Sequence, residues 1–301
     1  MTVFSAGARN SLLRTVFRAY PFSKGRYRLM SALEPLLESR PVELGHVWGS
    51  SKLALDLSRP GLQRSFYFFM PESYERATQD YLRLALRPGM TAIDVGCHVG
   101  LLTLLMARLV GPSGRVWGYE PDPDNHAQLE INLSINGYAH AVAVRAAVTD
   151  RRGRVRLARG RTGSDHAVDR QAAGGLDVPS EPLSDLLERE SIRRVHLLKI
   201  DAEGTEDLVL NGLADALTPS RIERIVCEIH SSRKAGPVGG DRIRRRLEAA
   251  GYTAYVLDPA LARRPYLSAW EPQAEVRGLQ NVLFCEPSTL RSDQGSTGAG
   301  R

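Results

Sequence analysis

The chain has few cysteines, few lysines and no long hydrophobic run. Its three cysteines, Cys97, Cys227 and Cys285, match neither a disulfide framework nor a zinc-binding spacing, so we expect buried, reduced thiols and no metal. No apolar run approaches the roughly 20 residues that a membrane span needs. These absences exclude a disulfide-rich secreted domain, and they predict a cytoplasmic protein with no transmembrane segment.

Because lysine is scarce, the positive charge comes mostly from arginine. The formal net charge is +6, but lysine occurs only at Lys24, Lys52, Lys199 and Lys234. A coding preference for GC-rich codons is the simplest explanation, and a surface for nucleic acid or for an anionic membrane is the alternative. The arginines are scattered and are not interleaved with aromatic residues, so we do not expect a nucleic-acid partner.

Residues 1–33 contain no acidic residue but carry five arginines. This composition fits an amphipathic transit peptide, or a basic N-terminal helix that Pro21 interrupts and that could bind a surface. The lack of a signal-peptide apolar core favours the helix. After a strand-like alternation at 52–57 and an apolar stretch at 65–69, the pattern predicts a helix over 73–86. Glu72 and Glu75 suit the positive N-terminal end of that helix.

Strand and helix patterns then alternate along the chain. Strands are predicted at 91–95, 115–120, 141–147, 196–200, 222–228, 253–257 and 280–285, and helices at about 100–110, 124–136, 182–189, 204–216 and 240–250. This order predicts an α/β fold with a doubly wound, mostly parallel seven-stranded sheet whose last strand enters antiparallel. We predict an N-terminal helical and hairpin extension over 1–72, the main domain over 73–286, and a disordered tail over 287–301.

The first two core strands each end in a carboxylate. Asp94 ends the first strand, a glycine loop follows with Gly96 and Gly100, and Glu120 ends the second strand. A pyrophosphate-binding loop needs the spacing G-x-G-x-x-G, whereas these glycines are spaced G-x-x-x-G. The loop therefore suits a ligand with a ribose, no phosphate and a positive charge, such as S-adenosylmethionine. An acid that merely caps a helix is the alternative for Asp94 alone.

Two further runs deliver acids to the same edge of the predicted sheet. One run, LLKIDAEGTE, places Asp201 and Glu203 after a buried strand, with Lys199 inside the strand. A lone charged residue at such a position usually seeks a nearby acid. The other run, IVCEIHS, places Glu228 and His230 at the end of the next strand.

Four runs together resemble the FkbM family of S-adenosylmethionine-dependent methyltransferases over roughly residues 75–286. They are RPGMTAIDVGCHVGLLTLLMA, GRVWGYEPDPDNHAQLEINLSING, LLKIDAEGTEDLVLNGL and IVCEIH. The resemblance implies a Rossmann-like class I methyltransferase fold and O-methylation of a hydroxyl on a small molecule, such as a sugar, a polyketide or another natural product. The chain departs from the family at Cys97 and His98, where relatives usually have a small residue followed by Asn.

The resemblance and the motifs together give candidate site residues. For binding S-adenosylmethionine the candidates are Asp94, Gly96, Cys97, His98, Gly100, Glu120, Asp122 and Ala147. Methyl transfer by in-line displacement depends mainly on holding the acceptor oxygen close to the methyl group, and a base should help a weakly nucleophilic hydroxyl. The candidate bases are Asp201, Glu203 and His230, although His230 could equally be structural. A divalent metal held by Asp201 and Glu228 is a further alternative.

Other functions remain open at this point. The main alternative is a methyltransferase that modifies RNA or protein through the basic surface, and strong salt dependence of polyanion binding would indicate it. The spacing of the glycines argues against a nicotinamide-dependent oxidoreductase. A non-catalytic scaffold would have no need of acids at all three strand ends. The sequence indicates no particular oligomeric state.

Overall fold

The architecture is that of a computed structural model, which describes residues 7–21, 25–59, 61–69, 71–159, 166–168, 175–230, 239–257, 267–269 and 279–295. An N-terminal extension comes first and combines helices with one antiparallel hairpin. Its elements are α1 (Ala8–Ala19), α2 (Arg26–Leu33), β1 (Pro41–Val47), β2 (Ser51–Asp56) and α3 (Leu62–Phe68). The apolar stretch at 65–69 thus belongs to a helix.

Alternating helices and strands follow. They are α4 (Arg76–Ala85), β3 (Thr91–Val95), α5 (Leu101–Val110), β4 (Arg115–Tyr119), α6 (Pro123–Ile135), β5 (Ala141–Val144), β6 (Ala147–Val148), β7 (Gly153–Arg159), β8 (His166–Val168), β9 (Leu176–Glu181) and α7 (Leu183–Arg189). The last part contains β10 (Leu197–Ile200), α8 (Glu206–Asn211), β11 (Arg224–His230), α9 (Gly239–Ala249), β12 (Thr253–Leu257), β13 (Leu267–Ala269), β14 (Leu279–Cys285) and α10 (Pro287–Gly295).

The central sheet has the strand order β13-β12-β14-β11-β10-β3-β4-β5. Five neighbouring strands pair in parallel, in the order β11-β10-β3-β4-β5. The strand β14 lies antiparallel between β11 and β12. The predicted doubly wound, mostly parallel sheet with an antiparallel last strand is therefore confirmed. Within the described residues the sheet has eight strands and not seven, because the three-residue β13 pairs with the edge of β12 and is too short to show a pattern in sequence.

The predicted strand at 141–147 is two strands in the structure. β5 ends at Val144, and β6 leaves the central sheet to pair with β9 in a second sheet of order β6-β9-β7-β8. In the sequence, the only sign of this break is Arg145, which lies between two short runs of alanine and valine. The second sheet is formed by described residues between 147 and 181 and brings Leu157 to the cleft described below.

A row of amide side chains on α6 fastens the extension to the main domain. Gln128, Asn132 and Asn136 lie four residues apart on one helix face. Asn132 accepts a hydrogen bond from the Ala54 amide at 2.7 Å, and Gln128 donates to the Ala54 carbonyl at 2.9 Å. These bonds satisfy the exposed edge of β2, which would otherwise offer unpaired backbone groups. The boundary between residues 72 and 73 stays a prediction, and the two parts share one hydrophobic cluster.

The two faces of the sheet have different neighbours. Ile93 and Val95 of β3 belong to the cluster that also holds α7, α8 and α9 residues, while Ala92 packs with α4 and α5. Because successive side chains of a strand point to opposite faces, Asp94 lies on the α4 and α5 face, together with its register partner Lys199 on β10. The alternation thus places polar groups beneath α4 and α5.

Residues 287–295 form a helix, which corrects the prediction of a disordered tail over 287–301. The buried Asp293 of α10 binds Arg224 of β11 with both carboxylate oxygens, at 2.6 and 2.9 Å, and it accepts a hydrogen bond from Tyr81 of α4 at 2.9 Å. Leu290 is buried beside them. These contacts order the segment despite its polar composition. Residues 296–301 lie outside the described residues.

The three cysteines, Cys97, Cys227 and Cys285, are buried and free, as the sequence predicts. Within the described part of the chain, none of the helices has both the length and the apolar character to cross a membrane.

The buried pair between Asp293 and Arg224 gives a test of the role of α10. Asp293→Ala leaves a buried guanidinium without its bidentate partner, so we expect a loss of about 3 kcal/mol in the free energy of unfolding. Ser292→Ala, at an exposed neighbouring position, should cost less than about 0.5 kcal/mol. Urea unfolding measures both, and equal midpoints for Asp293→Ala and the wild type would show that α10 does not stabilise the fold.

Candidate functional site

A cleft opens where β3, β4 and β10 end, at the carboxyl edge of the parallel strands. It is open to solvent, and together with the solvent space at its mouth it measures about 950 Å³. Clefts at this edge are the usual ligand sites of open α/β sheets. Its walls combine the loop after β3, the end of β4, the segment around Ala147, the end of β10 and part of the extension.

The glycine loop after β3 is shaped by left-handed backbone. Gly96 has φ 76°, and a Cβ there would overlap the backbone oxygen of Asp201. Gly100 has φ 86° at the N-terminus of α5, where a Cβ would overlap the Leu129 side chain. His98 adopts φ 52° between them, which is uncommon for a residue with a Cβ. The two glycines are therefore required by close packing of the loop against β10 and α6.

Glu120 lies almost fully buried at the end of β4. One carboxylate oxygen accepts a hydrogen bond from the His98 amide and the other from the Asp122 amide, each at 2.9 Å. Burial raises the pKa of Glu120 to about 7, although both amide hydrogen bonds favour the ionised form. Each carboxylate oxygen keeps a further lone pair for a ligand, so the side chain is held ready to accept hydroxyl donors.

Asp94 is buried on the opposite side of the loop and is held by α5. The Thr103 hydroxyl donates to its carboxylate at 2.6 Å. Burial raises the pKa of Asp94 to about 6, and the nearby Lys199 ammonium opposes that shift. Asp94 lines the cleft and contributes negative charge to its floor.

The other predicted cofactor-binding residues fall into two groups. Cys97, His98 and Ala147 line the cleft, and burial raises the pKa of the Cys97 thiol, which stays protonated. Gly100 and Asp122 are not among the residues that line the cleft. Asp122 caps α6 by accepting hydrogen bonds from the amides of the helix's first turn, so its contribution is to orient the loop that carries Glu120.

Lys199 lies inside the sheet, and its side chain is only 2% exposed. Its ammonium donates to Asp201 at 3.1 Å and lies 3.7 Å from Glu75. Burial alone lowers the pKa of Lys199, but the carboxylates of Asp201, Glu75 and Asp94 together hold that pKa well above its usual value. Lys199 therefore stays charged, and the expectation that it seeks a nearby acid is confirmed.

Glu75 is a site residue that the sequence did not reveal. It occupies the N-terminal cap of α4 with φ 40° and ψ 50°, and its side chain makes no capping hydrogen bond. The carboxylate lines the cleft and accepts a hydrogen bond from the Asn281 side chain of β14 at 3.1 Å. The sequence showed an acid at a helix start, and such an acid usually serves the helix itself.

The three candidate bases are placed differently. Asp201 and Glu203 both line the cleft, and Glu203 has a left-handed backbone with φ 49°. His230 ends β11, where it pairs with Leu279 of β14, but its side chain lies outside the described residues. Glu228, two residues earlier, is buried and lies opposite Asn281.

Glu75, Asp201 and Glu228 place carboxylate oxygens within 4.8 Å of one another. We term these three acids, together with Lys199, the acidic pole of the cleft. Oxygen ligands at such separations suit a hard divalent cation. The ammonium of Lys199 already lies among them, however, and supplies positive charge to two of the three carboxylates.

The raised pKa of Glu120 predicts a pH dependence of stability. In the unfolded chain Glu120 ionises near pH 4.5, whereas in the folded protein it keeps its proton until about pH 7. Its contribution to the free energy of unfolding is therefore lost as the pH rises from about 5 to 8. Relative to Glu120→Ala, the wild type should lose about 2 kcal/mol over that range in urea unfolding.

The exposed Glu188 of α7 supplies the control for this measurement, because Glu188→Ala should follow the wild type at every pH. Parallel pH profiles for the wild type and Glu120→Ala would contradict the assigned pKa.

Comparison with known proteins adds to this geometry. The family model described as the methyltransferase FkbM domain matches residues 94–254, more than half of the chain. The 31-O-demethyl-FK506 methyltransferase FkbM of Streptomyces tacrolimicus is 33% identical over 189 residues, which cover 50% of this chain and 70% of that protein. Methyltransferase 1 of Beauveria bassiana is 26% identical over 163 residues, which cover 47% of this chain and 65% of that protein.

Among solved structures, the methyltransferase FkbM from Methylobacillus flagellatus matches with a TM-score of 0.43 and 14% identity. The match covers 73% of this chain and 52% of that one. At this level of similarity the strand order and the parallel pairing carry the fold assignment, which is Rossmann-like. The matched family domain begins at Asp94 in β3 and extends into β12. The chain belongs to the FkbM family of methyltransferases.

Proposed function

We propose that the protein is an S-adenosylmethionine-dependent methyltransferase that O-methylates a hydroxyl group of a small molecule. The observation that carries this proposal is the pairing of Glu120 with the G-x-x-x-G loop at one end of a cleft whose other end is the acidic pole. The family membership supports methyl transfer, and the cleft supports the choice of donor and acceptor.

The hydrogen-bond acceptors, apolar side chains and negative charge of the cleft suit S-adenosylmethionine. Glu120 offers both carboxylate oxygens to the two ribose hydroxyls, and the surroundings of Ala147 and Leu157 offer apolar contact to the adenine. The acids Asp94 and Asp201 favour the positively charged end of the molecule. When bound, S-adenosylmethionine supplies a methyl group on a positively charged sulfur.

The residues at the end of β10 would prepare the acceptor. An aliphatic hydroxyl is a weak nucleophile, and a carboxylate within hydrogen-bond reach can take its proton as the new bond forms. Asp201 and Glu203 line the cleft, and His230 is the third candidate. Of these, Asp201 is favoured, because its hydrogen bond to Lys199 fixes the orientation of its carboxylate.

The extension supplies part of the wall around the acceptor. Leu62 and Phe66 of α3 line the cleft, as does Tyr74, which directly precedes Glu75 of the acidic pole. Aromatic and aliphatic side chains of this kind suit the hydrocarbon skeleton of a natural product. We therefore propose that the extension selects the acceptor, while the loop after β3, Glu120 and the second sheet bind the donor.

Isothermal calorimetry tests the donor assignment. S-adenosylmethionine should bind the wild type with a dissociation constant in the micromolar range, about −8 kcal/mol, whereas NAD should not bind. Glu120→Ala removes the ribose acceptor and should weaken binding at least about tenfold. Glu130→Gln removes a carboxylate from an exposed position and should bind like the wild type.

Binding of NAD that is indifferent to Glu120→Ala would overturn the proposal. Once donor binding is established, release of S-adenosylhomocysteine in the presence of a panel of hydroxylated sugars and polyketides identifies the acceptor.

A further inference from the structure

The acidic pole carries more negative than positive charge. Glu75, Asp201 and Glu228 contribute three carboxylates against the one ammonium of Lys199, and Asp94 lies in register with Lys199 on the neighbouring strand. Because like charges in a partly buried volume repel one another, this excess stabilises a cationic or hydrogen-bond-donating group. An anionic group would be repelled.

Glu75 shows a second, independent sign that the pole receives a ligand. Its side chain is only 9% exposed. One oxygen is fixed by Asn281, but the other is buried and accepts no hydrogen bond from the described residues, with the Lys199 ammonium 3.7 Å away. A buried carboxylate oxygen without a hydrogen bond is costly. This cost makes the pole more favourable for a ligand that brings a donor or a positive charge.

The backbone of Glu75 adds to this cost. A left-handed conformation is unfavourable for a residue with a side chain, and such strain concentrates at functional sites. The N-terminal end of α4 would also be stabilised by a capping carboxylate, yet Glu75 makes no such hydrogen bond. Glu75 thus has an unfavourable backbone conformation and makes no capping hydrogen bond, and its carboxylate instead lies in the cleft.

Resting on the proposed function, we propose that the acidic pole is the acceptor end of the cleft and that Glu75, supplied by the segment before the matched family domain, is a positioning residue there. Glu75 acts through Lys199, which in turn orients Asp201. The excess negative charge selects acceptors whose reacting hydroxyl has neutral polar or cationic neighbours, and it disfavours phosphorylated or carboxylated ones.

The charge of the acidic pole can be tested before the acceptor is known, by comparing the binding of two analogues of S-adenosylmethionine. S-adenosylhomocysteine lacks the transferred methyl group, and sinefungin has an amine-bearing carbon in place of the methylated sulfur. The sinefungin ammonium therefore occupies the direction in which the methyl group would be transferred. The ratio of the two dissociation constants cancels any effect of a variant on the part of the pocket that both analogues share.

We expect the wild type to bind sinefungin more tightly than S-adenosylhomocysteine in calorimetry. Glu75→Gln, which keeps the size of the side chain and removes its charge, should reduce that preference about tenfold. Glu130→Gln, on the exposed face of α6, should leave the ratio unchanged. If Glu75 had only a structural role, Glu75→Gln would weaken the binding of both analogues equally.

The outcomes separate this inference from the proposed function. Failure of S-adenosylhomocysteine to bind the wild type would refute the donor assignment itself. Binding of both analogues with no preference for sinefungin, or with a preference that Glu75→Gln does not change, would refute the acidic pole as the acceptor end and leave the donor assignment standing.

Discussion

The charge of Lys199 is the interaction on which the rest of the site depends. Parallel strands end at one edge of the sheet, so the acids that follow β3 and β10 are brought into one buried volume. Ionised carboxylates crowded in this way would be expelled or protonated without a nearby cation. Lys199, enclosed by the sheet and by Asp201, lets the carboxylates stay together and charged beside a cleft that ligands can enter.

Several elements far apart in sequence keep this arrangement in place. The contacts of Asp293 with Arg224 and Tyr81 tie α10 to β11 and α4, and α4 presents Glu75 at its N-terminal end. On the other side, the amide row of α6 fixes the hairpin of the extension. The proposed donor end of the cleft is therefore built by the matched family domain, and the proposed acceptor end also includes Glu75, which lies before that domain.

Much of the fold could be predicted because the signals are local. β3 and β12 agree residue for residue with prediction, since short apolar runs are bounded there by glycine or polar residues. The helix over 287–295 was missed because its anchors, Leu290 and Asp293, are few among polar residues. The role of Glu75 was missed for a different reason: its partners lie on β10 and β14, and no local pattern encodes those contacts.

The most direct test of the account is a crystal structure of the protein with S-adenosylhomocysteine. We predict that both ribose hydroxyls lie within hydrogen-bond distance, about 3 Å, of the Glu120 carboxylate. We also predict that the sulfur faces the acidic pole around Asp201. A ribose placed away from Glu120, or a sulfur directed away from Asp201 and Glu75, would contradict the assignment of the two ends of the cleft.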